Sequence, residues 1–226
     1  MTKEKNIHIS ELVDTSRVIT VETLNLTILE DRRFYFFGKR FLDIVLSTLA
    51  LVVCSIPMVI VALAVKLDSP GPIFYKQERL GLNGKKFYLV KFRSMKVDAE
   101  IQGAKWAQRN DPRVTRVGKI IRAFRLDELP QLWQVLTGDM ALVGPRPERE
   151  IFYDEFEKYI HGFRQRLLVK PGITGLAQVS GGYELKPAEK IVYDIEYIKK
   201  MSVFFDIKVL LKTVVVVLLG HQGGAR

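Results

Sequence analysis

One stretch constrains this chain more than any other: Ile44–Val65, IVLSTLALVVCSIPMVIVALAV, holds no charged residue. As a helix, its roughly 22 residues extend about 33 Å, just enough to cross the ~30 Å hydrocarbon core of a bilayer. A membrane-attached chain follows, and a spanning helix is the first reading. Two features oppose it. Pro57 lies inside the run and lacks the N–H that the helix ladder needs, so a break is expected there, leaving pieces of roughly 19 Å and 13 Å, neither long enough to span. The hydroxyl of Ser55 is placed to satisfy a carbonyl freed by the break. The second feature is charge. Arg32, Arg33, Lys39 and Arg40 precede the segment, while Lys66, Lys76, Arg79, Lys85 and Lys86 follow it. Positive residues favour the cytoplasmic side, and here both flanks claim it. A helix-break-helix that dips into one leaflet and returns satisfies both.

Around this anchor the chain divides into an N-terminal arm (1–38), the re-entrant membrane helix (39–67) and a basic domain (68–226). The arm is expected to lie flexible or along a surface, and Met1–Lys39 lacks the continuous apolar core of a secretory signal. The domain is long enough for one hydrophobic core and short for two. Lys and Arg number 35 against 25 acids, a formal charge of +10. That balance suits nucleic acid, anionic lipid or a phosphate-rich substrate, and the bilayer segment favours the last two. No nucleic-acid recognition motif is visible. The lone Cys54 lies in the apolar run, so no disulfide framework arises.

Enrichment in aromatic and β-branched residues predicts strands at Ile73–Arg79 and Lys86–Arg93, joined by a turn at Asn83–Gly84. Helices are predicted over Val97–Gln108, Gly118–Arg125 and from about Leu129 to Thr137, the last with Leu129, Leu132, Trp133 and Leu136 as its buried stripe. Gly144–Pro145–Arg146–Pro147 reads as a stiff loop before a charged helix, Glu148–Ile160, buried along Phe152, Phe156, Tyr159 and Ile160. A short strand is expected at Leu176–Val179 and a helix from Pro187 through Tyr197. The apolar run Val203–Leu219 is interrupted by Asp206, Lys208 and Lys212, so it suits either an interfacial helix or a core helix. The fold class is therefore α/β and membrane-associated: a re-entrant anchor, then a mainly helical domain with a small β-hairpin and interfacial helices.

The chemistry concentrates in Gly118–Pro147, GKIIRAFRLDELPQLWQVLTGDMALVGPRP. Pro130 is tolerable only in the first turn of its helix, which puts Asp127 and Glu128 near that N-terminus. Arg122 and Arg125 immediately precede them, and Arg146 arrives on the stiff loop. An ionised carboxylate can attack phosphorus, arginines match phosphate oxygens, and two adjacent acids can hold a divalent cation. An acid at a helix start is also an ordinary cap and arginines an ordinary solvated face, so spacing alone leaves both readings open.

The chain resembles the bacterial sugar transferases, the monotopic polyprenyl-phosphate phosphoglycosyl transferases. The resemblance rests on KRFLDIVLS (Lys39–Ser47), DSPGPIFYKQERLG (Asp68–Gly81), KFRSM (Lys91–Met95), RLDELPQLWQVLTGDMALVGPRP (Arg125–Pro147) and KPGITGLAQVSG (Lys170–Gly181). It implies transfer of a sugar-1-phosphate from a UDP-sugar to polyprenyl phosphate by a ping-pong scheme with Mg2+, at the cytoplasmic face of the bacterial inner membrane. Asp127 would be the nucleophile, Glu128 would place the metal or the incoming phosphate, and Arg93 or Arg125 would hold phosphate oxygens. Arg146, between Pro145 and Pro147, would contact the nucleotide, with Arg122 beside it. The implied partners are the UDP-sugar, polyprenyl phosphate and membrane lipid, and a homo-oligomer is compatible with the sequence. The family's Ser-Pro pair at the helix break is interrupted here as Ser55–Ile56–Pro57. The transferred sugar is not legible, although the Ser180–Ala188 loop is a candidate selector. The rival reading is a non-catalytic basic protein that binds membrane surfaces; it gives no reason for Asp127–Glu128 beside Arg146.

Overall fold

The computed structural model describes residues 13, 15–99, 101, 111–181 and 185–219. Before the anchor, a two-residue strand β1 (Ile19–Thr20) and one helical turn α1 (Thr27–Glu30) lie against the domain. Arg32 donates to the carbonyls of Met201 (2.6 Å), Lys199 (2.6 Å) and Ile198 (3.4 Å), which fastens this segment to the domain just ahead of the anchor.

The anchor is helix α2, Arg33–Asp68, 36 residues and about 54 Å long. It runs through Pro57 without a break, so the expected division into two helices is corrected to one uninterrupted helix. A proline in an apolar helix deletes one ladder bond but need not end the helix, because neighbouring groups compensate. Ser55 donates to Val52 O at 2.8 Å, one carbonyl short of the Val53 carbonyl that Pro57 deprives of its ladder donor. The middle of α2 is bare: Leu49, Val52, Val53, Ile56, Val59, Ile60 and Leu63 all face outward.

Both ends of α2 are bonded to the domain. Near its start, Lys39 pairs with Asp206 at 2.8 Å, Arg40 donates to Val135 O (2.5 Å) and Leu136 O (2.7 Å), and Asp43 accepts from Leu142 N at 3.1 Å. At the far end, Val61 and Val65 pack with Phe92 and Ile121, and Asp68 accepts from Val117 N at 3.2 Å. Arg93 closes the helix by donating to Val65 O, Ser69 O and Pro70 O.

Strands β2 (Phe74–Leu80) and β3 (Lys86–Phe92) form the expected antiparallel hairpin, with Tyr75 opposite Lys91 and Arg79 opposite Phe87. Its turn uses Asn83 at φ 55° and Gly84 at φ 77°, left-handed positions that Asn and Gly tolerate. Of the predicted helix Val97–Gln108, residues 97–99 and 101 form turns and the remainder lies outside the described residues.

Helix α3 (Arg116–Ala123) is capped by Thr115, whose Oγ1 accepts from Gly118 N at 3.0 Å. After a 3-10 turn, Leu126–Glu128, comes α4 (Gln131–Thr137), ended by Gly138 at φ 93°. The stripe predicted for α4 is corrected in part: Leu132 is buried, but Trp133 is 63% exposed, and Gln131, Gln134 and Val135 are buried instead. Gln134 is accepted inside because its amide pairs with the outer edge of β3, taking Val90 N (3.0 Å) and giving to Tyr88 O (2.5 Å).

Strand β4 (Ala141–Val143) pairs in parallel with β6 (Gly172–Thr174). The charged helix is shorter than predicted, α5 (Glu150–Glu157), because the chain then forms β5 (Ile160–His161), which pairs with β1. A 3-10 stretch, Phe163–Leu168, follows. The strand expected at Leu176–Val179 is instead helix α6 (Leu176–Ser180), with Val179 N bonded to Gly175 O at 3.2 Å. The ladder in this region is carried by β6 next door. Helices α7 (Pro187–Lys200) and α8 (Val203–Leu219) complete the fold. The main core gathers Phe152, Tyr153, Phe156, Ile160, Phe163, Ile191, Ile195 and Ile198. Helix α8 is packed on one side only: Asp206 and Val209 are buried, while Phe204, Leu211, Val214 and Leu218 face outward.

Candidate active site

The backbone between α3 and α4 reverses sharply. Arg125 takes φ 57°, ψ 16°, a left-handed conformation that costs a non-glycine residue about 1–2 kcal/mol. This reversal turns Leu126 and Leu129 onto the small core beside Val65, Phe92 and Ile121, and drives Asp127 and Glu128 inward. Both carboxylates are buried, at 6% and 8% exposure. They sit in their own 3-10 turn ahead of α4 rather than in its first turn.

Glu128 meets Arg146 through two contacts, Nη2 to Oε1 at 2.5 Å and Nη1 to Oε2 at 3.4 Å. Burial alone would raise its proton affinity; the nearby charges of Arg146, then Arg125 and Lys91, outweigh burial and hold Glu128 ionised, below the usual carboxylate range. Asp127 goes the other way. Burial, then the charge of Glu128, lifts its carboxyl above that range against the opposing charges of Lys91, Arg122 and Arg146. Two adjacent acids thus have unlike environments, the arrangement that separates their roles.

Lys91 is the site residue that sequence reading missed as an individual. Alternation in β3 puts it on the same hairpin face as Tyr75, its ammonium 5.5 Å from the Tyr75 ring centroid. Burial pulls it down to about 8, opposed by Asp127 and reinforced by Arg79 and Arg146. The signal available in the sequence was the K-F-R alternation at Lys91–Arg93, which sets two cations on one face.

Lys91 and Arg146 line a cleft of about 260 Å³. Lys91, Arg122, Arg125, Arg146, Arg149 and Lys190 contribute positive charge to its wall, and among the described residues the one acid lining it is Glu148, already paired with Arg79 at 2.9 Å. Such a cleft accepts an anionic ligand. Asp127 and Glu128 do not line it themselves; they are buried against the cations that do. Arg93 lines the cleft, but its two terminal nitrogens are bonded to the end of α2. Pro145 and Pro147 shape the loop: Pro145 O accepts from Gly172 N at 2.9 Å, and Pro147 O from Arg79 at 3.1 Å.

The family profile for bacterial sugar transferases matches residues 34–220. The chain is 45% identical over 195 residues to a UDP-N-acetylgalactosamine-undecaprenyl-phosphate N-acetylgalactosaminephosphotransferase of Aeromonas hydrophila, an alignment covering 85% of this chain and 46% of that protein. It is 48% identical over 181 residues to the UDP-glucose:undecaprenyl-phosphate glucose-1-phosphate transferase of Escherichia coli (strain K12), covering 78% of this chain and 39% of the relative. A Caulobacter vibrioides protein named for the same glucose-1-phosphate transfer is 44% identical over 181 residues, with 78% and 68% covered. The chain therefore spans less than half the length of the first two. Matched along most of its length from the anchor onward, it belongs to the bacterial sugar transferase family.

Proposed function

We propose that the chain transfers a sugar-1-phosphate from a UDP-sugar to polyprenyl phosphate through a phosphosugar-aspartate on Asp127, and so begins a lipid-linked glycan. The observation that carries this reading is the buried Asp127–Glu128 pair beside a cationic cleft, with Glu128 clamped by Arg146 and Asp127 left to react. An Asp127 carboxylate oxygen bonds to the sugar-proximal phosphorus while the bond from that phosphorus to the bridging oxygen breaks; UMP leaves with the bridging oxygen. An oxygen of the lipid phosphate then attacks the same phosphorus, and the aspartate carboxylate is released. Arg122, Arg125 and Lys91 hold phosphate oxygens, and Arg146 keeps Glu128 ionised and oriented at the nucleotide side of the cleft. Mg2+, which takes one or two carboxylates and completes its shell with substrate phosphates, would be held by Asp127, and by Glu128 only in exchange for its two contacts with Arg146. Among the described residues no cluster of three or more acids, histidines or cysteines offers a fuller cage. When bound there, that ion would neutralise charge on the diphosphate.

The test is UMP release from a panel of UDP-sugars in the presence of Mg2+ and polyprenyl phosphate. The reaction should slow as pH falls, since the ionised form of Asp127 is lost through a value above the ordinary ~3.9. It should slow again as pH rises through about 8, where Lys91 loses its charge. Lys91→Arg should remove the alkaline fall. No release across the panel by folded protein would sink the proposal.

The membrane helix enters and leaves the cytoplasmic leaflet. A crossing would put the ends of α2 on opposite sides of the bilayer, whereas Lys39, Arg40 and Asp43 at one end, and Asp68 at the other, bond to one domain. The return requires α2 to bend, and Pro57 is where the ladder is weakest. Aqueous labelling of Cys introduced at Lys39 and Lys76 should reach both from the same side; exposure on opposite sides would establish a crossing.

A further inference from the structure

Behind the Pro-Arg-Pro loop lies a buried ion pair that the transfer steps above do not use. Arg166, in the 3-10 stretch, is 3% exposed, and Asp194, on α7, is 1% exposed; Arg166 Nε stands 2.7 Å from Asp194 Oδ2. A pair this deep is poor value for stability, because removing two charges from water offsets most of their attraction. The Arg166 guanidinium does more than neutralise Asp194. Its Nη2 donates to Arg146 O at 2.9 Å, and its Cζ lies 4.9 Å from the Phe163 ring centroid and 5.8 Å from that of Tyr153. Only a planar fork makes these contacts together. Arg146 is thus gripped at its main chain by Arg166, while its side chain leaves in the direction of Glu128.

We propose that Arg166, backed by Asp194, is a positioning residue that sets Arg146, and through it Glu128, for phosphosugar transfer; this rests on the site reading given above. The path runs from α7 to the 3-10 stretch, across one hydrogen bond to the Pro-Arg-Pro main chain, and along the Arg146 side chain to the acid pair. Arg166→Lys keeps the charge opposite Asp194 but gives up the fork.

The experiment is a double-mutant cycle on the full chain in membranes, reading steady-state UMP release from a UDP-sugar with Mg2+ and polyprenyl phosphate. Arg166→Lys alone should lower kcat roughly 10–100-fold, since small misplacements of reacting groups cost that much. Donor KM should stay within about threefold, the signature of a group that acts on chemistry rather than on binding. In an Arg146→Ala background the path is already cut, so the same substitution should cost less than about twofold. Equal losses in both backgrounds, or an effect confined to KM, would overturn the proposal. Thermal unfolding of each solubilised variant reports the folded fraction. If Arg166→Lys does not fold, Asp194→Glu, which keeps the charge and displaces it, runs the same cycle with the same two outcomes. Release by the wild type with additive losses sinks this inference alone, whereas no release by the wild type sinks the transfer reading itself.

Discussion

Asp127→Asn is expected to abolish both UMP release and a labelled covalent adduct, a loss of roughly 10³-fold or more as for other nucleophile deletions, while the protein remains membrane-bound. An amide has the shape of the carboxylate but not its nucleophilicity. The stability of this variant should move in the opposite direction from its activity. The Asp127 carboxyl is pushed above its usual range by burial and by Glu128, so at neutral pH its charge is worse off in the fold than in the unfolded chain. That penalty is present above the raised folded value and fades as pH falls through it, when the acid protonates. Asn removes the penalty, so thermal unfolding at neutral pH should occur at an equal or higher temperature than in the wild type, with the difference shrinking in acid. Adduct persisting in Asp127→Asn would disprove the nucleophile assignment, and a markedly lower unfolding temperature would show that the charge stabilises the fold.

The second large effect is expected in the main chain rather than at a charged side chain. Gly172→Ala should destabilise by roughly 3 kcal/mol or more, beyond ordinary overpacking. A Cβ there would stand inside 3.0 Å of Gly144 N, Thr174 O and Gly144 O. All three are main-chain atoms, so no side chain can rotate out of the way. The β4–β6 ladder would have to open, and Gly144 with it, which displaces Arg146 two residues on. Gly84→Ala is the matched control: a Cβ at Gly84 meets nothing within 4 Å, and the cost is confined to its left-handed backbone at φ 77°. Chemical denaturation of the two variants should separate them clearly. Equal loss would mean that the contact between β4 and β6 relaxes without strain.

Some of this was legible in the chain and some was not, for physical reasons. The hairpin was legible because aromatic and β-branched composition and Asn83–Gly84 are local signals. The placement of Asp127 and Glu128 near the start of α4 was approachable because Pro130 limits where that helix can begin, but the left-handed Arg125 that sets them in a separate turn has no sequence signature. Trp133 was assigned to a buried stripe because it is apolar at helical spacing. The face that packs carries Gln131 and Gln134, which the core accepts because the edge of β3 supplies partners for Gln134. Leu176–Val179 is a four-residue apolar run, too short for period to separate strand from helix. Lys91 and the Arg166–Asp194 pair depend on contacts across long sequence separations, which neither period nor motif reports. Pro57 was read as a bend or break, and the ladder carries the helix through it without a break.

The bonds at the foot of α2 also impose an order of events in time. Arg40 waits for carbonyls 95 and 96 positions later, Asp43 for an N–H 99 positions later, and Lys39 for a carboxylate 167 positions later. At about 5–20 residues per second, the partner of Lys39 leaves the ribosome on the order of ten seconds or more after Lys39 itself. During that interval the apolar segment is already made while the groups that will fix its near end do not yet exist. The near end of the anchor can therefore be fixed in steps, first by α4 and β4 and last by α8.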